Sequence, residues 1–204
     1  DLAPPSISYT AITNKPAGST LTLNNFAMIT DPSGVNTTAG TAPRLYYKKS
    51  GDNNEIVPGN ISPDNGWKWV EASNGSSPFS FTIDYSLLKD GSVSNGDVIQ
   101  YFVVAQDNSP SPKVGINSGS FAVTPTSVDL VTANLPVSPI NQYTINGSFS
   151  GTINVGTAQT YTTLTGAGGL FAAINAGVVS GNITVNIVSD ITTETGANAL
   201  NQFI

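Results

Sequence analysis

Short hydrophobic stretches recur along the first part of the chain, and turn-forming segments separate them. Seven candidate strands occur, at 6–12, 19–30, 43–49, 66–72, 79–85, 97–107 and 118–124. The segments between them, such as DPSG, SGDNN and NSPSPK, are rich in Gly, Pro, Asn, Asp and Ser, which favour tight turns. Seven short strands with this spacing predict an all-β fold, an immunoglobulin-like (Ig-like) β-sandwich over residues 1–125.

The stretch 97–107 has apolar residues on both faces. Ile99, Tyr101 and Val103 alternate with Phe102 and Val104. A strand that is apolar on both sides is buried on both sides, so we predict that it is central in its sheet. We interpret Tyr101 as a core residue and not as a functional phenol.

The rest of the chain has a different pattern. Residues 126–147 show little periodicity and predict a connector that carries one strand. Two further short strands flank Gly156 in FSGTINVGTAQTYTTL. In 182–192, the residues Ile183, Val185 and Ile187 alternate with polar side chains, which predicts a strand with one apolar face.

The stretch GAGGLFAAINAG, residues 166–177, has two interpretations. A phosphate-binding loop needs a glycine spacing that this stretch lacks, and the chain has no Lys after Lys113. The alternative is a short helix that ends at Gly177. Its apolar face would be made by Leu164, Leu170, Phe171, Ala173 and Ile174. We predict such a helix, capping an open stack of strands.

Composition excludes several classes of function. Only 10% of residues are charged and the net charge is −6, which argues against a nucleic-acid-binding protein. The absence of Cys and His removes disulfides, thiolate and imidazole catalysis, and zinc sites of ordinary composition. No apolar run approaches a transmembrane span, and residues 1–20 do not resemble a signal peptide. A chain that begins with Asp1 is expected to be a processed product or a fragment.

Two stretches carry a resemblance to a known class of proteins. The first is ITDPSGVNTTAGTAPRLYYKKS, followed by GWKWVEAS, FSFTIDYSLL and VSNGDVIQYFVVAQD. It resembles the Ig-like or fibronectin-type-III-like modules of large secreted Bacteroidetes surface proteins, over residues 6–124. The second, GTINVGTAQTYTTLTGAGGLFAAINAGVVSGNITVNIVSDIT, resembles the start of the right-handed parallel β-helix in those proteins.

The resemblance implies a helix-capped first rung of a parallel β-helix over residues 148–204. It also implies export by the type IX secretion route, and an extracellular or outer cell-surface location. The C-terminal sorting domain of such proteins is not present in this sequence. Because one rung leaves strand edges and apolar side chains uncovered, we expect further rungs or a covering partner at this end.

Oxygen-bearing side chains follow two of the predicted strands. Asp31 and Asp107 each end a strand and precede a turn. Together with Asn108, or with Asp64 and Asn65, they could provide ligands for Ca²⁺, and the sequence predicts no other cofactor. The alternative is that both aspartates cap their own turns through side-chain hydrogen bonds to the backbone.

Aromatic residues are concentrated in two neighbouring strands. Trp67 and Trp69 share one strand face, and Tyr46 lies in another strand beside Tyr47. Trp67, Trp69 and Tyr46 could form a platform for the sugar rings of surface glycans. Alternatively, one set of these rings belongs to the core.

These observations favour a non-catalytic structural or adhesive segment of a surface protein. The acidic residues are dispersed among turns, and only Glu55, Glu71 and Glu194 are glutamates, so no catalytic carboxylate pair is evident. One alternative is an accessory N-terminal part of a β-helical polysaccharide lyase or hydrolase. Another is a cargo held by a secretion or surface apparatus.

Overall fold

The computed structural model describes residues 3–61, 64–135 and 137–201. The chain is all-β apart from one short α-helix and three single-turn 3₁₀ segments within these residues. Its strands are β1 Ser6–Ser8, β2 Lys15–Pro16, β3 Thr20–Thr30, β4 Arg44–Lys49, β5 Lys68–Glu71, β6 Phe79–Asp84, β7 Val98–Gln106, β8 Val114–Asn117, β9 Asn141–Asn146, β10 Ser148–Val155 and β11 Val178–Ile187. Helix α1 spans Leu170–Ala176.

The chain divides into two compact units. The first contains residues 1–13, 18–93 and 97–144, and the second contains residues 14–17, 94–96 and 145–204. Residues 202–204, which the sequence assigns to the β-helical part, lie outside the described residues.

The first unit is built from two antiparallel sheets. One sheet has the order β1–β3–β6, and in the other β7 lies between β4 and the strands β8 and β9, with β5 at the edge beyond β4. The long strand β7 therefore is central, as its two apolar faces predict. It pairs with β4 from Arg44↔Val104 to Lys49↔Ile99.

Each face of β7 is covered by a different layer. Tyr101 points toward the three-stranded sheet, where its ring lies 6.4 Å from that of Phe26 and its hydroxyl accepts a hydrogen bond from the Ile12 N–H (2.7 Å). Phe102 points the other way and stacks on Tyr46 with ring centroids 5.3 Å apart. The core therefore has two parts, one on each side of the larger sheet.

Six of the seven strands expected in the first part of the chain are present at the expected places. The exception is 118–124, which forms only an isolated bridge, Ser120↔Ser138. The strand that pairs with the end of β7 is instead β8, directly before it. In β8, Gly115 fits against the Pro5 backbone, since a Cβ there would lie 2.1 Å from the Pro5 carbonyl oxygen.

The structure corrects the predicted connector over 126–147. Within it, Val128, Leu130, Leu135 and Val137 are buried against Phe102 and its neighbours in the first unit. The segment also ends in β9, which pairs with β7. The buried part of this segment is not a regular strand or α-helix. Its apolar residues therefore have no regular spacing from which a core segment could be predicted.

The second unit contains a parallel strand pair. β10 and β11 are hydrogen-bonded in parallel, from Ser148↔Val178 to Val155↔Ile187, and α1 lies in the connection between them. Val155, Leu170 and Ile174 form its buried centre. The predicted strands on either side of Gly156 are reduced to β10 and a single bridge, Val155↔Tyr161.

The glycine stretch is structural. Residues 170–176 form the predicted helix and Gly177 ends it. A Cβ on Gly169 would lie 2.6 Å from the Leu164 carbonyl oxygen, and one on Gly166 would lie 2.5 Å from the Thr163 hydroxyl oxygen. These glycines allow the chain to turn tightly before the helix. Across the described residues, no helix has the length and hydropathy needed to cross a membrane.

Candidate functional site

A cleft opens on the first unit where the edge strand β5 meets two loops. It has a volume of about 620 Å³, within the range of ligand-binding clefts. Its apolar wall comes from the loop residues 56–58 and 130–131, and its polar groups come from Arg44, Asp129 and Thr132. Trp69 of β5 lies among them, with its side chain partly exposed.

Side-chain hydrogen bonds hold the loop 55–61 along β5. The Asn60 carboxamide accepts a hydrogen bond from the Trp69 N–H (3.1 Å) and donates one to the Trp69 carbonyl (2.9 Å). The Asn60 side chain thereby provides the backbone hydrogen bonds that a neighbouring strand would otherwise make to the edge strand β5. The Ile56 N–H donates to the Thr132 hydroxyl (3.1 Å), which ties this loop to the opposite wall of the cleft.

Arg44 organises the polar side of the cleft. Its guanidinium lies 3.8 Å from the centre of the Trp69 ring, a cation–π contact. It donates to the Asp129 carboxylate at 2.7 Å and the Gly40 carbonyl at 2.9 Å, and lies 3.4 Å from the Glu71 carboxylate. Two carboxylates therefore compensate its charge, and the cleft carries no net positive charge from this residue.

The arrangement suits an uncharged ligand with both apolar and hydroxyl surfaces. The apolar wall and the exposed part of Trp69 offer contacts for C–H groups, while Asp129 and Thr132 offer hydrogen-bonding groups. Sugar rings combine these two kinds of surface.

The structure separates the three aromatic residues that the sequence proposed as one platform. Trp67 and Tyr46 lie in the core, 1% and 0% exposed, so neither can contact a glycan. This corrects the prediction for those two residues and leaves Trp69 at the cleft. The sequence did not indicate Arg44, Asp129 or Thr132 as site residues. Asp129 and Thr132 belong to the segment that was interpreted as a connector.

Asp31 and Asp107 each cap a turn. Asp31 Oδ1 accepts hydrogen bonds from the Ser33 N–H (2.8 Å) and hydroxyl (2.6 Å). Asp107 Oδ1 accepts from the Ser109 N–H and hydroxyl, and also from the Lys113 N–H (2.9 Å). The interpretation as turn-capping aspartates is thus confirmed for one oxygen of each carboxylate.

Asp107 is ionised. Burial acts to raise the pKa of Asp107, but hydrogen bonds from Lys113 and Ser109 outweigh it and hold the pKa below its ordinary value.

The other side chains predicted as calcium ligands have hydrogen bonds or ion pairs of their own. Asn108 donates through its carboxamide to the Val35 carbonyl (3.3 Å) and through its N–H to the Gly34 carbonyl (3.0 Å). Asp64 forms an ion pair with Lys68, and the Asn65 carboxamide oxygen accepts from the Asn53 N–H (3.2 Å).

Comparison of the chain with protein-family models, with curated proteins and with solved structures gives no significant match.

Proposed function

We propose that this chain is a non-catalytic, adhesive segment of a secreted bacterial surface protein. In this proposal the first unit is an Ig-like module whose cleft around Trp69 binds glycans, and the second unit is the helix-capped first rung of a parallel β-helix. The cleft is the observation that carries the proposal, since it combines a partly exposed indole, an apolar wall and polar groups.

The hydrogen bonds of the second unit support the β-helical part of the proposal. β10 and β11 pair in parallel, and side-chain hydrogen bonds join further residues that are separated by a similar number of positions in the sequence. Ser148 and Ser180 are 32 residues apart, as are Thr157 and Ser189, and Leu164 and Glu194 are 30 apart. A similar offset between successive stacked segments is what a coiled solenoid requires.

The charge of the cleft indicates the class of glycan. Arg44 is compensated by Asp129 and Glu71, and the chain has a net charge of −6. An acidic polysaccharide would be repelled at long range and would find no free cation at Arg44. We therefore expect neutral polysaccharides to bind in preference to uronic-acid-containing or sulfated ones.

Replacing Trp69 with Ala is expected to weaken binding to immobilised neutral polysaccharide about 5- to 10-fold, as the loss of one aromatic contact predicts. Binding of the 204-residue chain is measured by retention on a panel of neutral and acidic polysaccharides, followed by titration on those that retain it. Met28→Ala, at an exposed position of the other sheet, is the matched control and should bind like the wild type.

The outcomes separate adhesion from catalysis. Retention without release of reducing or unsaturated sugar ends supports a binding module. Release of such ends would contradict a non-catalytic function, and retention that is equal for the wild type and Trp69→Ala would contradict the cleft as its site. An extracellular or cell-surface location belongs to the same proposal.

A further inference from the structure

Two aspartate oxygens at one end of the first unit are buried and have no hydrogen-bond partner. They are Oδ2 of Asp31 and Oδ2 of Asp107. The Asp107 side chain belongs to a residue that is 0% exposed, and Asp31 is half-buried. In each carboxylate Oδ1 is engaged by the turn that follows, so it is the second oxygen that lacks a partner.

The backbone brings the two turns together. The Gly34 N–H donates to the Asp31 carbonyl (3.0 Å), and the Gly34 carbonyl accepts from the Asn108 N–H (3.0 Å). Val35 forms a β-bridge with Asp107 itself. The turn after β3 is therefore attached directly to the end of β7.

Strand alternation places both carboxylates on the side of the space between the two sheets. Along β3 the buried residues Ala27 and Ile29 precede Asp31 at a spacing of two. Asp107 directly follows β7 and lies an even number of residues after Tyr101, so the two residues share a face. Tyr101 contacts Phe26 of the other sheet. Gln106, on the opposite face, bonds to the Val128 N–H instead.

The two carboxylates in this position carry negative charge that no ion pair compensates. No Lys or Arg side chain forms an ion pair with either one within residues 3–61, 64–135 and 137–201, although the Lys113 ammonium attracts Asp107 from beyond ion-pair distance. Each buried Oδ2 atom lacks a hydrogen-bond partner, so a cation that binds to both carboxylates would stabilise the arrangement.

A second pair of buried oxygens provides a contrast. Asp52 Oδ2 and Asp64 Oδ2 also have no hydrogen-bond partner. Asp64, however, is paired with Lys68, and the Lys48, Lys89 and Lys49 ammonium groups attract the Asp52 carboxylate. Protein cations already compensate the charge there, and they would repel a metal ion.

We propose that Asp31 and Asp107 bind a Ca²⁺ ion through their Oδ2 atoms. Ca²⁺ prefers oxygen ligands, takes six to eight of them and tolerates irregular geometry, so backbone carbonyls and water complete the site. Asn108 is not a ligand in this proposal, and it connects the two turns. The ion fastens the turn 31–36 to the end of β7, and this role does not depend on glycan binding.

The test is the melting temperature of the 204-residue chain after treatment with EDTA and after addition of Ca²⁺. Calcium at about 10 mM is on the order of 10- to 100-fold above the dissociation constants of extracellular calcium modules. We expect it to raise the melting temperature by roughly 3–10 °C. Mg²⁺ should give a smaller shift, because it requires near-octahedral geometry and gives up its water reluctantly.

Variants separate metal binding from turn capping. Asp31→Asn and Asp107→Asn should each abolish the calcium-induced shift while they preserve an oxygen for the turn. The decisive quantity is the size of the calcium-induced shift, because three hydrogen bonds stabilise the Asp107 carboxylate in the folded state and Asp107→Asn is expected to melt lower than the wild type in EDTA as well. A purely structural aspartate would lower the melting temperature when replaced but would leave the calcium-induced shift unchanged.

Asp84→Asn is the matched control. Asp84 caps an identical Asp-x-Ser turn, because its Oδ1 accepts from the Ser86 N–H (2.9 Å) and hydroxyl (2.7 Å). It is not among the residues with a buried unpartnered oxygen in the described structure. This variant should keep the full response to calcium. Equal melting temperatures of the wild type in EDTA and in Ca²⁺, with no calcium binding by calorimetry, would overturn the proposal.

Discussion

Replacing Trp67 with Ala is expected to lower the free energy of unfolding of the first unit by about 3–5 kcal/mol. Trp67 is 1% exposed and its ring lies 4.9 Å from that of Phe102, in an edge-to-face contact. Its indole N–H donates to the Asn54 carboxamide (3.2 Å), and the Lys48 ammonium lies 5.3 Å from its ring centre. Alanine leaves a cavity and removes the indole N–H from the Asn54 carboxamide oxygen, while the Lys48 ammonium loses the ring but keeps its backbone carbonyl partners.

The measurement is urea denaturation followed by far-ultraviolet circular dichroism. Trp69→Ala is the natural comparison, because the two residues lie on the same face of the same edge of the sheet. Trp69 is partly exposed, so its replacement should cost less than half as much as that of Trp67. Equal losses of stability for the two variants would contradict their assignment to core and cleft.

Raising the pH from about 8 to about 11 is expected to destabilise the first unit by several kcal/mol. Five buried tyrosines have raised pKa values, and burial is the largest cause for each of them: Tyr46, Tyr47, Tyr85, Tyr101 and Tyr143. For Tyr85 the pKa is raised to about 12, in spite of the hydrogen bond between the Tyr85 and Tyr143 hydroxyls (2.7 Å). Unfolded tyrosine has a pKa of about 10.

The direction of the effect follows from these pKa values. A phenol whose pKa is higher in the folded state keeps its proton there while the unfolded chain loses it. The stabilisation is therefore complete below about pH 10 and is lost as the pH rises toward the folded-state pKa. At about pH 11 a tyrosine whose folded-state pKa is raised to about 12, such as Tyr85, contributes roughly 1.4 kcal/mol of destabilisation.

Urea midpoints between about pH 8 and 11 test this expectation, with tyrosinate absorbance as the second signal. The part of the absorbance that comes from these five tyrosines should rise together with unfolding and not before it. Tyr143→Phe removes one buried phenol, so its stability should fall less steeply with pH than that of the wild type. Ionisation of the buried tyrosines at about pH 10 in a chain that remains folded would contradict the prediction.

The sequence by itself determined the elements whose pattern is local. In the six confirmed strands of the first part, the apolar period can be seen within the sequence of each strand. Helix α1 and its end at Gly177 also follow from residues that are neighbours in the chain. The same holds for the turns at Asp31 and Asp107, where a carboxylate bonds to the backbone two residues later.

Only the tertiary structure decided which face of each strand is covered. Trp67 and Trp69 do share a face, as alternation predicts. Trp67 is buried in one cluster with Val128, Leu130, Leu135 and Val137, whereas Trp69 is partly buried and lies at the cleft. The segment that contains these valines and leucines has no period, so its burial is not visible in its sequence. The attachment of the turn after β3 to the end of β7 likewise depends on Gly34, whose carbonyl accepts a hydrogen bond from the distant Asn108 N–H. Periodicity reports contacts within an element, whereas a site formed by separate loops depends on contacts between elements.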